Sequence, residues 1–176
     1  YLLAQHPHVA AKLIAELQTV LGGRWLGVAD VPRLRYTEKI IKEALRLYPP
    51  VWVITRVAVR DFEIGGYPVR AGTSLALSQW VMHHDARYFE RPDVFDPDRW
   101  TADFTQQLPR FAYFPFGGGP RGCIGSSLAL LEAVLLLAAI AQQYQLALAP
   151  ESQIDLWPSL TLHPRQGMPM TLTRRH

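Results

Sequence analysis

Phe116-Gly117-Gly118-Gly119-Pro120-Arg121-Gly122-Cys123-Ile124-Gly125 is the stretch on which the reading of this chain turns. It contains the one cysteine of the 176-residue sequence. Glycines on both sides leave that sulfur open to close approach by something large and flat. Backbone N–H groups around it and the start of the next helix favour a thiolate over a thiol. Phe116 adds an aromatic face, and Arg121 a cation suited to a carboxylate. The competing reading of an isolated cysteine is a small, inert core residue.

Downstream of this loop a long apolar helix spans roughly residues 125–144. Its run from Leu128 to Ala141, broken by Glu132, is short for a membrane span and reads as a buried helix. The tail, residues 145–174, alternates weakly and has a turn near Gln166-Gly167, as a terminal β-hairpin does. Upstream, prolines at 92, 97, 109, 115 and 120 forbid long regular structure over residues 88–122. So long a connection implies a task.

Before that connection the β-branched residues of 51–59 read as a strand. Phe62-Glu63-Ile64, Gly65-Gly66 and Tyr67-Pro68-Val69 read as a hairpin, with another strand near residues 73–77. Two helices come first. One begins near Pro7 and ends at Gly22-Gly23, burying Leu13, Ile14, Leu17, Val20 and Leu21. The other starts after Pro32 and stops at Pro49-Pro50, with Ile40, Ile41, Ala44, Leu45 and Tyr48 on one side. The opening Tyr1-Leu2-Leu3-Ala4 reads as the end of an earlier element. The expected fold class is mainly α with a small β portion (α+β).

Composition narrows the function. Hydrophobic residues make up 49% and charged ones 19%, the balance of a globular chain with a core. One cysteine excludes an internal disulfide framework and a multi-cysteine zinc site. The +3 net charge is scattered, without a Lys/Arg block, so nucleic acid is not an expected partner.

Three chemistries compete for the loop. Gly117, Gly119 and Gly122 satisfy G-x-G-x-x-G, the dinucleotide fingerprint. Pro115 and Pro120 spoil the strand and tight turn it needs, and Gln142-Gln143 stand where an acidic ribose contact belongs. A cysteine hydrolase needs a base, and His83, His84 and His163 lie in no local nucleophile motif. The third is a haem-thiolate site. The segment resembles the cytochrome P450 haem-binding signature F-x-x-G-x-R-x-C-x-G, with Phe116, Gly119, Arg121, Cys123 and Gly125 in every fixed position.

Other parts of the chain resemble the same family. Glu43-Ala44-Leu45-Arg46 supplies its E-x-x-R, a spacing that puts both side chains on one helix face. Pro97-Asp98-Arg99-Trp100 is similar to its P-x-R-F loop, with Trp100 in the aromatic place. The resemblance implies that Glu43, Arg46 and Arg99 form a structural network beneath the haem. Val51, Trp52, Val53 and Ile54 follow Pro49-Pro50 as does the family stretch that touches substrate, and Arg56 sits where many members place a propionate partner. Ser159-Leu160-Thr161-Leu162 resembles the turn that returns to the pocket, pointing to Leu160. His83-His84-Asp85 resembles an H-R-D segment, departing at His84; a surface or capping role is the expectation for these histidines. Arg110 is a candidate contact for an electron donor.

The resemblance implies that residues 1–176 are the C-terminal haem-binding portion of one cytochrome P450 domain, incomplete at the N-terminus. The central helix with its acid–alcohol pair for oxygen activation would lie upstream, and the chain alone is expected to be inactive. The implied cofactor is haem b (iron protoporphyrin IX), with Cys123 as the axial iron ligand. Phe116, Gly117, Gly119, Arg121, Gly125 and Arg56 would complete the cofactor site. The implied activity is monooxygenation: one atom of O2 enters a hydrophobic small molecule, and electrons come from a ferredoxin, a flavodoxin or a flavoprotein reductase. A non-oxygenase haem-thiolate protein, an isomerase or a sensor, is the alternative on the same scaffold. The expected compartment is cytoplasmic, with an N-terminal membrane anchor left open.

Overall fold

The structure is a computed structural model that describes residues 1–175. A short helix α1 (Leu2–Gln5) leads into α2 (Pro7–Leu21), which has Pro7 in its first turn and ends at Gly22 in the left-handed region, φ 57°. Val9, Leu13, Leu17 and Leu21, each four residues apart, bury one stripe of α2. A 3₁₀ turn, Val28–Arg33, contains Pro32, so the next helix, α3 (Arg35–Leu47), starts later than Pro32 suggests. The core joins the α2 stripe to Leu34, Ile40, Leu47 and Phe95, and to Val134, Ala138 and Ala141 further along.

Helix α3 reverses the expected sides. Thr37, Ile40, Glu43, Arg46 and Leu47 are its buried residues. Ile41, Ala44, Leu45 and Tyr48 are half-buried and line a cavity of about 630 Å³. An apolar stripe seeks shelter from water, but a fully hydrogen-bonded ion network can be buried more deeply still.

Four two-stranded antiparallel sheets follow, each small. β1 (Ile54–Val57) pairs with β4 (Ser74–Leu77), Ile54 opposite Leu77. Between them β2 (Phe62–Ile64) and β3 (Tyr67–Val69) form the hairpin, with Gly65 and Gly66 at φ 56° and 85°. The strand expected over 51–59 is therefore four residues long. Residues before Ile54 bond elsewhere: the carbonyl of Trp52 accepts from Ser78 Oγ at 3.0 Å and Trp80 N at 3.2 Å.

Those two donors open a short helix, α4 (Gln79–His83), capped by Ser78 Oγ, which accepts from Val81 N at 3.2 Å. The proline-rich connection holds a 3₁₀ turn, Pro97–Arg99, then α5 (Ala102–Gln107), whose cap Thr101 Oγ1 accepts from Phe104 N at 3.1 Å. Neither α4 nor α5 shows a long apolar period, but Ser78 and Thr101 are the cap residues that mark them.

Helix α6 (Ser126–Gln143) is long and apolar enough in composition to cross a membrane. It is less buried than its composition suggests. Only Val134, Ala138 and Ala141 are buried, while Leu128 and Leu136 are 67% and 54% exposed. Helices α2 and α3 cover one face, Ala129, Leu130, Ala133 and Leu137 line the larger cavity, and the remaining face is open.

The tail also differs from a single terminal hairpin. β5 (Tyr144–Leu148) pairs with the last strand, β8 (Met170–Arg174), Tyr144 opposite Arg174. The hairpin is β6 (Leu156–Pro158) with β7 (Leu162–Pro164), so the Gly167 turn, φ 79°, links strands of two different sheets.

Candidate functional site

The glycine-rich loop is closed on itself. Cys123 N donates to Phe116 O at 2.9 Å, Gly117 N to Phe114 O at 2.9 Å and Gly122 N to Gly119 O at 3.0 Å. Gly117 and Gly119 have φ 71° and 68°, where a Cβ is penalised by the backbone itself. Gly118 is needed for space, since an added Cβ would stand 2.3 Å from Phe111 Cε1. Gly125 leads into α6, and a Cβ there would stand 3.9 Å from Cys123 Sγ. Its lack of a side chain leaves the sulfur's flank open.

Cys123 is a free, exposed thiol beside a cavity of about 310 Å³. Arg121, Phe116, Gly117, Arg56 and Val51 share that cavity with Cys123, and Leu45, Pro50, Ile54, Gln79 and Pro115 complete its wall. Leu45, Pro50 and Phe116 also border the larger cavity. Among the described residues neither Arg56 nor Arg121 is ion-paired with a carboxylate. Arg56 Nη1 donates to Thr55 O at 2.8 Å.

Not every residue named from the sequence reaches this wall. Trp52, Val53, Gly119, Gly125 and Leu160 do not line it. Leu160 is 94% exposed at the tip of the β6–β7 hairpin. That hairpin is nonetheless tied to the 50–52 segment: Trp52 Nε1 donates to Ser159 O at 2.9 Å, and Leu162 N to Pro50 O at 2.8 Å.

Helix α3 anchors a buried ion network. Glu43 Oε1 accepts from Arg46 Nη2 and Arg99 Nε, each at 2.9 Å, and from Asp96 N at 3.1 Å. Its Oε2 accepts from Arg46 Nε and Trp100 Nε1, each at 2.9 Å. Glu43 and Arg46 are fully buried, 0% exposed. Arg46 spends its other donors on the carbonyls of His83 at 2.8 Å, Pro92 at 2.6 Å and Val94 at 3.2 Å. This network pins the 90–100 segment to α3: one carboxylate faces two guanidiniums, whose remaining donors are met by backbone carbonyls.

His83 makes the next link, and it is core rather than surface. Its Nε2 accepts from Phe114 N at 2.9 Å, holding the chain two residues before Phe116. Burial pushes its pKa down from 6.5 to about 4. Its ring packs against Tyr113 and Phe114, centroids 5.1 and 5.5 Å away. Tyr113 donates its hydroxyl to Lys42 O at 3.1 Å, and burial pushes its pKa up. His84 stacks on Trp80 at 4.3 Å. Arg110 lies over the Phe111 ring, 4.8 Å from its centroid.

The geometry removes two of the three chemistries. His83 Nε2 is committed to Phe114, His84 Nδ1 lies 2.8 Å from Trp80 O and His163 Nδ1 lies 2.9 Å from Thr161 O, so none is poised as a base for the thiol. The segment before Gly117 is irregular and Gly119–Arg121 is a 3₁₀ turn, not the strand-to-helix turn of a dinucleotide site. Among the described residues no three His, Cys, Asp or Glu side chains gather to hold a metal by protein ligands alone. What is left is one accessible sulfur beside an apolar cavity with two guanidiniums at its wall, the arrangement of a protein that binds a flat, anionic cofactor.

Comparison with known proteins gives that class its family. The sequence profile of the family Cytochrome P450 matches residues 1–169. Cyclooctatin synthase of Streptomyces melanosporofaciens is 43% identical over 162 residues, covering 92% of this chain and 35% of that protein. Pentalenene oxygenase of Streptomyces avermitilis is 36% identical over 175 residues, covering 99% of this chain and 39% of that protein. The crystal structure of the cytochrome P450DA heme domain superposes with a TM-score of 0.93 at 35% identity, over 100% of this chain and 39% of that one. The chain belongs to the cytochrome P450 family, whose members bind haem. It spans little more than a third of the length of these curated relatives.

Proposed function

We propose that residues 1–176 are the C-terminal, haem-binding portion of a cytochrome P450 domain, with Cys123 as the iron ligand. On this reading the whole protein inserts one atom of O2 into a hydrophobic organic molecule. The observation that carries it is the exposed Cys123 sulfur, presented by a loop closed through the 2.9 Å Cys123 N to Phe116 O bond, beside two guanidiniums that have no carboxylate partner among the described residues. The residues fit haem b: a thiolate for the iron, cations for two propionates, an aromatic ring and open glycine backbone for the porphyrin face.

Haem, when bound, supplies the redox chemistry that splits O2, one atom going to the substrate and the other leaving as water. The chain's own residues set the conditions. Cys123 as thiolate would hold the iron and supply it with electron density. Backbone N–H groups of the loop temper the sulfur's charge, and with it the potential. Arg121 and Arg56 hold the carboxylates. Val51, with Ile54 beside it, forms part of an apolar wall that suits a hydrophobic substrate and keeps water from the reacting face. Glu43, Arg46 and Arg99 hold the 90–100 segment to α3 and touch neither cofactor nor substrate.

Oxygenation is favoured over rearrangement or sensing because relatives carry oxygenase names. Cyclooctat-9-en-7-ol 5-monooxygenase is 42% identical over 150 residues, and pentalenene oxygenase is a second case. Those names describe an alkenol and an alkene, so an apolar terpenoid-like molecule is the substrate class we propose. Two electrons per turnover come from an external ferredoxin, flavodoxin or flavoprotein reductase. The 176-residue chain by itself is expected not to turn over.

The test is one spectrum. The full-length protein, reduced and saturated with CO, is expected to show the red-shifted Soret band of thiolate ligation, and Cys123→Ser to abolish it. An unchanged band in Cys123→Ser would refute the assignment.

A further inference from the structure

We propose that Gln79 is a further cofactor-binding residue: its buried side-chain amide donates a hydrogen bond to a carboxylate of the porphyrin, alongside Arg56 and Arg121. This rests on the haem reading above and adds a residue that neither the haem-loop signature nor any spacing rule selects.

Gln79 opens α4 and is fully buried, 0% exposed. Neither its Nε2 nor its Oε1 has a hydrogen-bond partner among the described residues. An amide held out of water with both ends unmet is costly, and folded proteins meet such groups with a ligand or an ordered water. Gln79 lies in the wall of the 310 Å³ cavity that also holds Cys123, Arg56 and Arg121. Gln79 therefore borders the same space as the exposed sulfur and the two guanidiniums, with its amide unmet among the described residues.

The character of that space selects the ligand. Among the described residues the two guanidiniums have no carboxylate partner, so they give the wall positive charge. Gln79 adds a neutral N–H donor, which strengthens the hold on a carboxylate without adding charge. Its carbonyl is an acceptor for a guanidinium N–H or a bound water.

The backbone under Gln79 is clamped at both ends of its short helix. Ser78 Oγ and Trp80 N donate to Trp52 O at 3.0 and 3.2 Å. Four residues on, His83 Nε2 accepts from Phe114 N at 2.9 Å. Little ordering remains to be done when a ligand arrives.

The test compares the full-length, haem-loaded protein with its Gln79→Met variant, similar in length but apolar. Haem transfer to excess apomyoglobin is timed for each. Loss is expected to be about tenfold faster or more in the variant, the range for a hydrogen bond to a charged group. The reduced CO Soret position should stay unchanged, because the sulfur is untouched. When both proteins carry the dimethyl ester of the same porphyrin, whose carboxylates are blocked, their rates should converge. Equal rates with natural haem would mean that only a structural water meets the amide. A difference that persists with the ester would equally overturn the assignment. Should Gln79→Met not fold, Gln79→Glu sets a carboxylate against a carboxylate and must shed haem faster than wild type; equal retention refutes the proposal. Wild-type protein that takes up haem without a thiolate-type spectrum would sink the broader functional reading, and this assignment with it.

Discussion

Glu43→Gln is the perturbation with the most determined outcome. Glu43 is 0% exposed and accepts five hydrogen bonds, three at Oε1 and two at Oε2. Glutamine keeps one acceptor oxygen and replaces the other with an NH2 group. The less costly orientation keeps the oxygen at the Oε1 place and turns the NH2 toward Arg46 Nε and Trp100 Nε1, which then have no acceptor. Two buried donors left unmet, at about 1–3 kcal/mol each, sum to about 2–6 kcal/mol. Removing one partner of a buried ion pair costs about 3–5 kcal/mol by itself, so the two routes agree. The assay is urea unfolding of the full-length protein, with the midpoint compared at constant slope. The internal control is Glu38→Gln on the same helix, whose 2.8 Å pair with Lys42 leaves the Glu38 side chain 44% exposed. That control should lose less than about 1 kcal/mol. A Glu43→Gln midpoint no lower than that of Glu38→Gln would refute the reasoning.

Three more outcomes follow from the same geometry. His83 is neutral in the fold, with its pKa held down from 6.5 to about 4, so between those values the unfolded chain binds the extra proton. Stability should be intact above pH 6.5, fall by about 3 kcal/mol as pH drops toward 4, and level off below; His83→Asn should remove that component of the slope in urea titrations run at several pH values. Gly117→Ala forces a Cβ into φ 71°, and the same unfolding assay should show a loss of about 1–2 kcal/mol. Trp52→Phe deletes the 2.9 Å bond to Ser159 O, and amide exchange over residues 156–164 should quicken by the equivalent of about 0.5–1.5 kcal/mol; unchanged exchange there would show that the bond does not hold the hairpin.

Much of this fold is legible in the sequence. Local geometry explains what is: the α2 stripe repeats every fourth residue, the Gly65-Gly66 turn needs positive φ, and the loop around Cys123 is closed by bonds between residues near one another in the chain. The E-x-x-R of Glu43 and Arg46 is local too, because three residues bring both onto one face of a helix. The strand bounds over 51–59 and the pairing in the tail differ from the local pattern because pairing is a contact between distant residues. β5 finds its partner at β8, not in the adjacent β6, and the carbonyl of Trp52 accepts from Ser78 and Trp80.

Sequence alone determined the loop that presents Cys123 and Arg121, since it is a short stretch of chain whose conformation its own residues dictate. Only the tertiary structure decided which other groups face them. Periodicity assigns charge to solvent and apolar side chains to the core, yet α3 buries Glu43 and Arg46 and turns Leu45 to the cavities, because a charge met on every side is no longer exposed by necessity. Gln79 and His83 became visible for the same reason: their burial and their partners, or lack of them, are set by Trp52, Phe114 and Cys123, which lie 27 or more residues away along the chain.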